Sequence, residues 1–350
     1  MQKEKRQRRQ QQRQRPDSNI YMALEIGKVP ERVLKRAVFK KISSRREEVV
    51  LSGGVGEDCT ALELPEGWQY VMTTDPITGT AKDIGSLAIN VTVNDLASAG
   101  AEPIGVMLTI LLPPRAREIA LAKIMEAAEQ ACAAHDMQII GGHTEITAAV
   151  NTPIVSVTGV GKVRAGQIVS TAGARPGMDI IVTKDIALEG TQIIAKEKEE
   201  ELLNHFPAEI IDRAKAFDKE MSVLAESKIA VAHGVAAMHD VTEGGIFGAL
   251  WEMAEASGCG LEADLRAIPI RQETVEICEH YDVNPYYLIS SGSMLMAADN
   301  GKELVEALAQ QGIKATIIGK FTDGADRVVV RDDERRFLTQ PPTDELYKVV

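Results

Sequence analysis

The sequence predicts a two-domain protein of the α/β (α+β) class. Three observations carry that expectation. The chain has 350 residues, about twice the ~100–200 of a single domain, so its core can be well buried. Its apolar share of 45% and charged share of 26% match ordinary globular usage and exclude wholesale disorder or a fibrous repeat. Strand-like runs alternate with helical periodicities through both halves, with no short period that would make a solenoid.

The elements follow in order. Residues 1–27 are a tail, Gln/Arg-rich and without apolar periodicity, which predicts disorder. Residues 1–15 carry +6, so the rest of the chain holds −18 of the net −12. The tail reads as a solvated extension or as sequence ahead of a natural start at Met22, and its charge would suit contact with RNA or anionic lipid. Pro30 to Val38 begins a helix with proline in its first turn. Strands are expected at Val49–Ser52, Cys59–Leu64 and Tyr70–Thr74, separated by Ser52-Gly53-Gly54-Val55-Gly56 and Pro65-Glu66-Gly67. A buried helix over Ile84–Ala99, a strand over Ile104–Leu112, a long amphipathic helix over Arg115–Ala134 and strands at Gln138–Ile140 and Ile154–Val163 complete a first domain, 28–165.

The turn cluster 172–179 precedes a strand at Ile180–Thr183 and sets the boundary at or just before it. In the second domain, 166–340, helices near 190–200, 208–231, 245–257, 271–280 and 302–311 alternate with strands near 236–239, 259–265, 293–298, 314–321 and 326–331. Residues 341–350 form a terminal tail.

Composition narrows the function. With aromatics at 4%, the acidic body offers neither a phosphate-tracking patch nor a stacking platform, so nucleic acid is not an expected partner except through the basic tail. The longest nearly apolar run, Val106–Leu112, is far short of the ~20 residues that span a bilayer, and no signal peptide opens the chain; a cytoplasmic protein is expected. Cys59, Cys132, Cys259 and Cys278 are far apart, without CxxC or zinc spacing, and read as reduced, packed thiols.

The chemistry-bearing residues are acids where acids are least expected. Asp58 follows the glycine-rich 53–56 loop, whose Gly54 and Gly56 permit close approach to a ligand, although Gly-Glu-Asp also suits a solvated turn. Asp75 ends a strand and is followed by Pro76, which is expected to stop it; a turn-initiating Asp-Pro is the alternative. Asp95, beside Asn94, lies in a helix of apolar and small residues. Burying a bare carboxylate costs several kcal/mol, roughly, so a base, a hydrogen-bond net or a metal must answer it. No Lys or Arg occurs between Lys82 and Arg115, which favours the metal over a capped structural acid.

Asp240 stands in Met238-His239-Asp240-Val241-Thr242-Glu243-Gly244-Gly245, a strand running through a turn into a helix. Such a turn aims N–H groups and a positive helix end at one spot, which suits phosphate, and its acid suits the accompanying Mg²⁺. Helix capping by Asp240 or Thr242 is the competing role. Gly141-Gly142-His143-Thr144 offers glycines beside polar side chains, with His143 more often structural than catalytic in such a setting. Gly190-Thr191 is a further helix-start turn. Carboxylates without Cys or His clusters imply a hard cation, and glycine-rich turns imply phosphate, so Mg²⁺-nucleotide is the natural synthesis. Neither a Walker nor a kinase signature is present.

Taken in order, Gly-Glu-Asp-Cys at 56–59, Thr-Asp-Pro at 74–76, Val-Asn-Asp-Leu-Ala at 93–97, Gly-Gly-His-Thr at 141–144 and Asp-Val-Thr-Glu-Gly-Gly at 240–245 resemble the aminoimidazole ribonucleotide synthetase (PurM-like) superfamily over residues 28–335. The stretches 83–97, 251–262, 267–271 and 284–292 are most similar to its hydrogenase maturation factor (HypE, carbamoyl dehydratase) branch. The resemblance implies a two-domain protomer whose first domains pair into a β-barrel-like homodimer core, with Mg-ATP between the domains. It implies that Asp58, Asp95 and Asp240 hold Mg²⁺ on the triphosphate, and that Asp75 lies at the same site. Gly54, Gly56, Asn94, Gly142, His143, Thr144, Thr242 and Gly244 would contact nucleotide.

The departures are as informative. That branch ends in Pro-Arg-Ile-Cys, whose cysteine accepts a carbamoyl group, whereas this sequence ends Glu345-Leu346-Tyr347-Lys348-Val349-Val350. The reactive Cys and nearby Lys of the selenophosphate branch are missing, and Asp75-Pro76-Ile77-Thr78-Gly79-Thr80-Ala81-Lys82 replaces the Asp-Gly-Val-Gly-Thr-Lys loop of the purine enzyme. The expectation is therefore an ATP-dependent ATPase or phosphotransferase acting on an oxygen of an unidentified small or protein-bound acceptor, with a maturation partner. A small-molecule kinase resembling thiamine-monophosphate kinase and a non-catalytic ATP-binding module remain open.

Overall fold

The computed structural model describes residues 23–54, 59–78, 82–340 and 343–350. The basic tail expected over 1–27 lies outside these residues up to position 22, as do Gly56 and Asp58.

The first half runs β1 (Gly27–Lys28), a helical turn α1 (Glu31–Val33) that widens into a π-helical stretch over Leu34–Val38, β2 (Val49–Leu51), β3 (Ala61–Leu62), β4 (Trp68–Ile77), α2 (Ile84–Ser98), β5 (Glu102–Leu112), α3 (Glu118–Ala134), β6 (Gln138–Ile146) and β7 (Ile154–Arg164). Five strands make one sheet in the order β1-β6-β5-β7-β4, with β5 and β6 parallel and the other pairs antiparallel. Within one chain this sheet is open.

Two expectations are corrected here. Pro76 does not stop β4, which pairs through it to Ile77 against Val155; β4 is an edge strand, where a missing N–H is tolerated. The strand expected over Gln138–Ile140 does not end there: Gly141 to Glu145 continue β6, paired with Met107 to Leu111. A Cβ on Gly142 would stand 2.1 Å from the Leu108 carbonyl oxygen, so the glycine that reads as a turn signal serves a close approach between strands instead.

α2 lies unusually close to the sheet. A Cβ on Gly159 of β7 would meet the Thr92 methyl at 2.3 Å, so the bare glycine is what lets the helix settle against β4 and β7. Gly85 does the same for α2 against α3, where a Cβ would come within 2.3 Å of the Ile124 carbonyl oxygen.

The second half runs β8 (Asp179–Thr183), α4 (Leu188–Glu197), α5 (Glu199–Leu202), α6 (Ala208–Lys215), α7 (Leu224–Ala232), β9 (Ala237–Asp240), α8 (Gly245–Ser257), β10 (Gly260–Asp264), α9 (Gln272–His280), β11 (Met294–Ala298), α10 (Gly301–Gln310), β12 (Ala315–Thr322), β13 (Arg327–Arg331) and β14 (Glu334–Phe337). Its seven strands order as β14-β13-β10-β12-β8-β11-β9. The single helix expected over 208–231 is broken: α6 passes into a 3-10 turn at Ala216–Glu220 before α7 starts at Leu224. The break is where the second half is stitched to α2. The Asn94 side chain donates to the Met221 carbonyl at 2.7 Å and accepts the Val223 N–H at 2.9 Å, and Ser227 donates to the Ala97 carbonyl at 2.6 Å.

One apolar core crosses the boundary. Ile89, Val93 and Ala97 of α2 pack in the same cluster as Val223, Ala230, Met238, Met294 and Met296. The two halves therefore fix one another's position. No described helix is long and apolar enough to cross a membrane.

Candidate active site between the two sheets

The inward face of β4 carries Val71, Thr73, Asp75 and Ile77 in alternation, and α2 lies across it. Thr73 donates its hydroxyl to Asp95 Oδ2 at 2.5 Å. Asp240 arrives from the other half, at the last residue of β9. The Asp95 carboxyl is pushed up to about 8 by burial first, then by the Asp240 charge and by its hydrogen bond to Asp75, with the Thr73 hydroxyl working the other way. Acids from β4, α2 and β9 thus share one electrostatic environment, and two of them belong to different halves of the chain.

Asp240 is 5% exposed. Its Oδ1 lies 3.7 Å from His239 Nδ1, and its Oδ2 is buried without a hydrogen-bond partner. His239 also contacts Glu252 through Nε2 at 2.8 Å; burial works against its charged form, but Asp240 and Glu252 outweigh that and raise it to about 9. A buried carboxylate oxygen without a donor costs about 1–3 kcal/mol. Together with an all-oxygen donor set, that orphan oxygen fits a hard cation such as Mg²⁺. Among the described residues, no three His, Cys, Asp or Glu side chains already stand at metal-holding spacing. Asp58, the third expected ligand, lies outside the described residues.

Beyond Asp240, the chain turns through Thr242 and Gly244 into α8. Gly244 and Gly245 have φ of +83° and +62°, a left-handed pair that only glycine adopts readily. A Cβ on Gly245 would meet the Tyr286 and Leu288 carbonyls at 2.6 and 2.8 Å, so the 284–289 loop is pressed against the turn. The Gly244 N–H donates to Asp344 Oδ2 at 2.7 Å.

Sequence reasoning missed two residues at this place. Glu189, 2% exposed in the first turn of α4, accepts the Ser291 N–H at 3.2 Å. Burial raises its carboxyl to about 7, with the Asp344 and Asp240 charges adding to the effect. The pattern that singles out Asp95, an acid inside an apolar segment, also marks Glu189 in Ile186-Ala187-Leu188-Glu189. Asp344 gives no such local signal.

Not every expected residue joins this cluster. Asn94 is fully buried with both ends of its amide committed to Met221 and Val223, so it ties the halves together and is not offered to a ligand. Gly54, Gly142, His143 and Thr144 line a separate cavity of about 700 Å³ in the first half, together with Lys28, Cys59 and Met107. A Cβ on Gly53 would lie 2.9 Å from the Gly141 Cα, which packs the two glycine-rich segments face to face. Within one chain this cavity and the acid cluster are apart. Asp75, Val157, Leu108 and Gly142 are successive neighbours across β4, β7, β5 and β6, three strand spacings or about 14 Å. His143 is half-exposed and pairs with Glu145 at 3.3 Å. All four cysteines are free; Cys59 is exposed and the other three are buried.

Comparison with known proteins places this architecture. Residues 56–163 match the AIR synthase related protein N-terminal domain and residues 175–332 its C-terminal domain. The chain belongs to the AIR synthase related, PurM-like family of two-domain α/β proteins. Within that family it is of the HypE kind: it is 31% identical to the carbamoyl dehydratase HypE of Cupriavidus necator over 79% of this chain and 80% of the relative. It is also 28% identical to a putative hydrogenase expression/formation protein of Methanocaldococcus jannaschii over 92% of this chain and 97% of the relative. A crystal structure of the hydrogenase maturation protein HypE in complex with ATP shares the fold at a TM-score of 0.76, with 19% identity over 93% of this chain and 97% of the other.

Proposed function

We propose that this protein is a Mg²⁺-dependent, ATP-using enzyme of HypE type that activates an oxygen atom of an acceptor by phosphoryl transfer. The observation that carries the reading is the convergence of Asp75, Asp95 and Asp240 from two halves of the chain, with a buried unpartnered oxygen on Asp240. An ATP complex of a structural relative supports the choice of nucleotide. Asp95 and Asp240, with Asp58, are the residues that would hold Mg²⁺, whose chemistry there is neutralisation of phosphate charge.

The chain's own groups do the rest by position. Thr73 fixes the Asp95 carboxylate, and the shared core fixes the distance between α2 and β9. In the left-handed turn at 244–245 the Gly245 N–H is held by the Thr242 carbonyl at 3.0 Å, so the Gly244 N–H, bonded to Asp344, is the donor that turn would offer an anion at the start of α8. No side-chain nucleophile is needed, because positioning and charge neutralisation supply most of the acceleration in phosphoryl transfer. The acceptor and the maturation partner belong to this proposal, as does the homodimer. Edge strand β4 leaves Met72 61% and Tyr70 45% exposed, and an uncovered edge strand with apolar side chains calls for a partner. A kinase that releases a stable phosphorylated metabolite is the alternative within the same chemistry.

Isothermal titration with ATP and with a non-hydrolysable analogue tests the first step. Binding that needs Mg²⁺ and disappears with excess chelator is expected; absence of Mg²⁺-dependent binding by folded protein sinks the nucleotide reading.

A further inference from the structure

A second cavity opens along the seam between the halves, on the far side of α2 from the acid cluster. Ser86 and Asn90 line it, and they project about 140–180° around the helix from Asp95. It measures about 550 Å³. Its walls come from α2 and the end of α3 in the first half, and from α4 and the 3-10 turn at Ala216–Glu220 in the second. Phosphoryl transfer at Asp95 and Asp240 makes no use of it.

Its polar groups are not all answered. Gln192 of α4 lines the cavity and is 5% exposed, with Oε1 buried and without a hydrogen-bond partner. Asn90 gives its Nδ2 to the Ser86 carbonyl at 3.0 Å, so it faces His135 with Oδ1, 2.9 Å from Nε2. Nε2 therefore carries the proton. Burial, and then the Lys228 charge, keep the imidazole below its usual range, which leaves Nδ1 as a bare acceptor. No donor among the described residues meets it. The charges of the lining are mixed in sign. Lys196 bridges Asp83 and Asp218, 2.8 Å from each, while Lys219 has no acid within ion-pairing distance among the described residues.

We propose that this cavity binds a free α-amino acid, whose ammonium group answers Gln192 Oε1 and His135 Nδ1 and whose carboxylate answers Lys219. A plain anion satisfies Lys219 but leaves two acceptors without a donor, and a plain amine leaves the lysine without a counter-charge. A zwitterion of small size meets both needs. Leu87, Ala131 and Met221 supply the apolar wall against which its side chain packs, the usual pairing of apolar lining with a few orienting polar groups. Because α2 and α4 belong to different halves of the chain, the occupant adds contacts across the seam, and its binding is read directly as stability. Nucleotide is not needed for any of these contacts.

The probes are the proteinogenic L-amino acids, added one at a time at millimolar concentration to the full chain while its melting temperature is recorded. At least one should raise the melting temperature, and neither its decarboxylated amine nor its deaminated acid should do so. Calorimetric titration of that amino acid should then give a Kd about tenfold or more weaker for Gln192→Leu than for wild type, the loss expected when one buried hydrogen bond to a charged group is removed. Gln192→Leu replaces an unpartnered amide by an apolar side chain of similar size, so the variant should fold and keep the wild-type response to Mg-ATP. No shift with any amino acid overturns the proposal. So does a shift of equal size in wild type and Gln192→Leu, which places the binding elsewhere, or an equal shift with the amine or the acid alone, which removes the need for a zwitterion.

Discussion

A carboxylate buried without a partner is the residue-scale fact from which the rest follows. Asp240 and Glu189 are buried and Asp95 is half-buried, and the chain supplies few donors to any of them. Asp95 was legible in the sequence because an acid stood in fifteen residues of apolar and small side chains. Glu189 had the same signature in a shorter run and was overshadowed by the Gly190-Thr191 turn beside it. Asp344 was not legible at all, since its meaning comes from Gly244, 100 residues away.

Glu189 also makes a pH prediction. Its carboxyl is held up to about 7 in the folded chain, against ~4.3 when unfolded. Between those values the folded state binds the extra proton, so this group's contribution to stability falls as pH rises through the window. Melting at pH 5 and pH 8 should show wild type losing on the order of 1–3 kcal/mol more than Glu189→Gln across that interval. Parallel pH profiles would count against a proton held at Glu189.

At the scale of elements, strand and helix existence was legible, and the errors cluster where glycine and proline carry two meanings. Pro76 reads as a stop because proline cannot donate to a ladder, yet on an edge strand nothing requires the bond. Gly141 and Gly142 read as the end of a strand because glycine frees the backbone, yet here they thin the strand so that Leu108 and Gly53 can approach. Periodicity alone could not show the break between α6 and α7, because it is set by Asn94 reaching across from another element. Asn94→Ala leaves the Val223 N–H and the Met221 carbonyl buried and unpaired, so it should destabilise the protein by about 2–3 kcal/mol. Chemical denaturation would read that loss, and a change below about 0.5 kcal/mol would show that the stitch is dispensable.

For the whole molecule, length and composition predict two domains, while the ordered motifs supply the family resemblance. Neither predicted that the halves would share one core. Its members include residues of α2, α7, β9 and β11, and apolar periodicity says which face is buried without saying against what. The same limit applies between chains. The exposed apolar residues of β4 lead us to expect a dimer near twice the 37.9 kDa chain mass in sedimentation at micromolar concentration; a clean monomer would contradict it.

The central claim is that Asp95 and Asp240, from different halves, serve one metal–nucleotide site. The most direct measurement is the rise in melting temperature on adding Mg-ATP to wild type, Asp95→Asn and Asp240→Asn, because ligand-linked stabilisation tracks affinity. Each substitution keeps the shape and removes a hard-cation ligand, so both variants should fold, with an apo stability equal to or above wild type. The Mg-ATP shift should be large in wild type and nearly absent in both variants. A shift equal to wild type in the two variants would contradict the account.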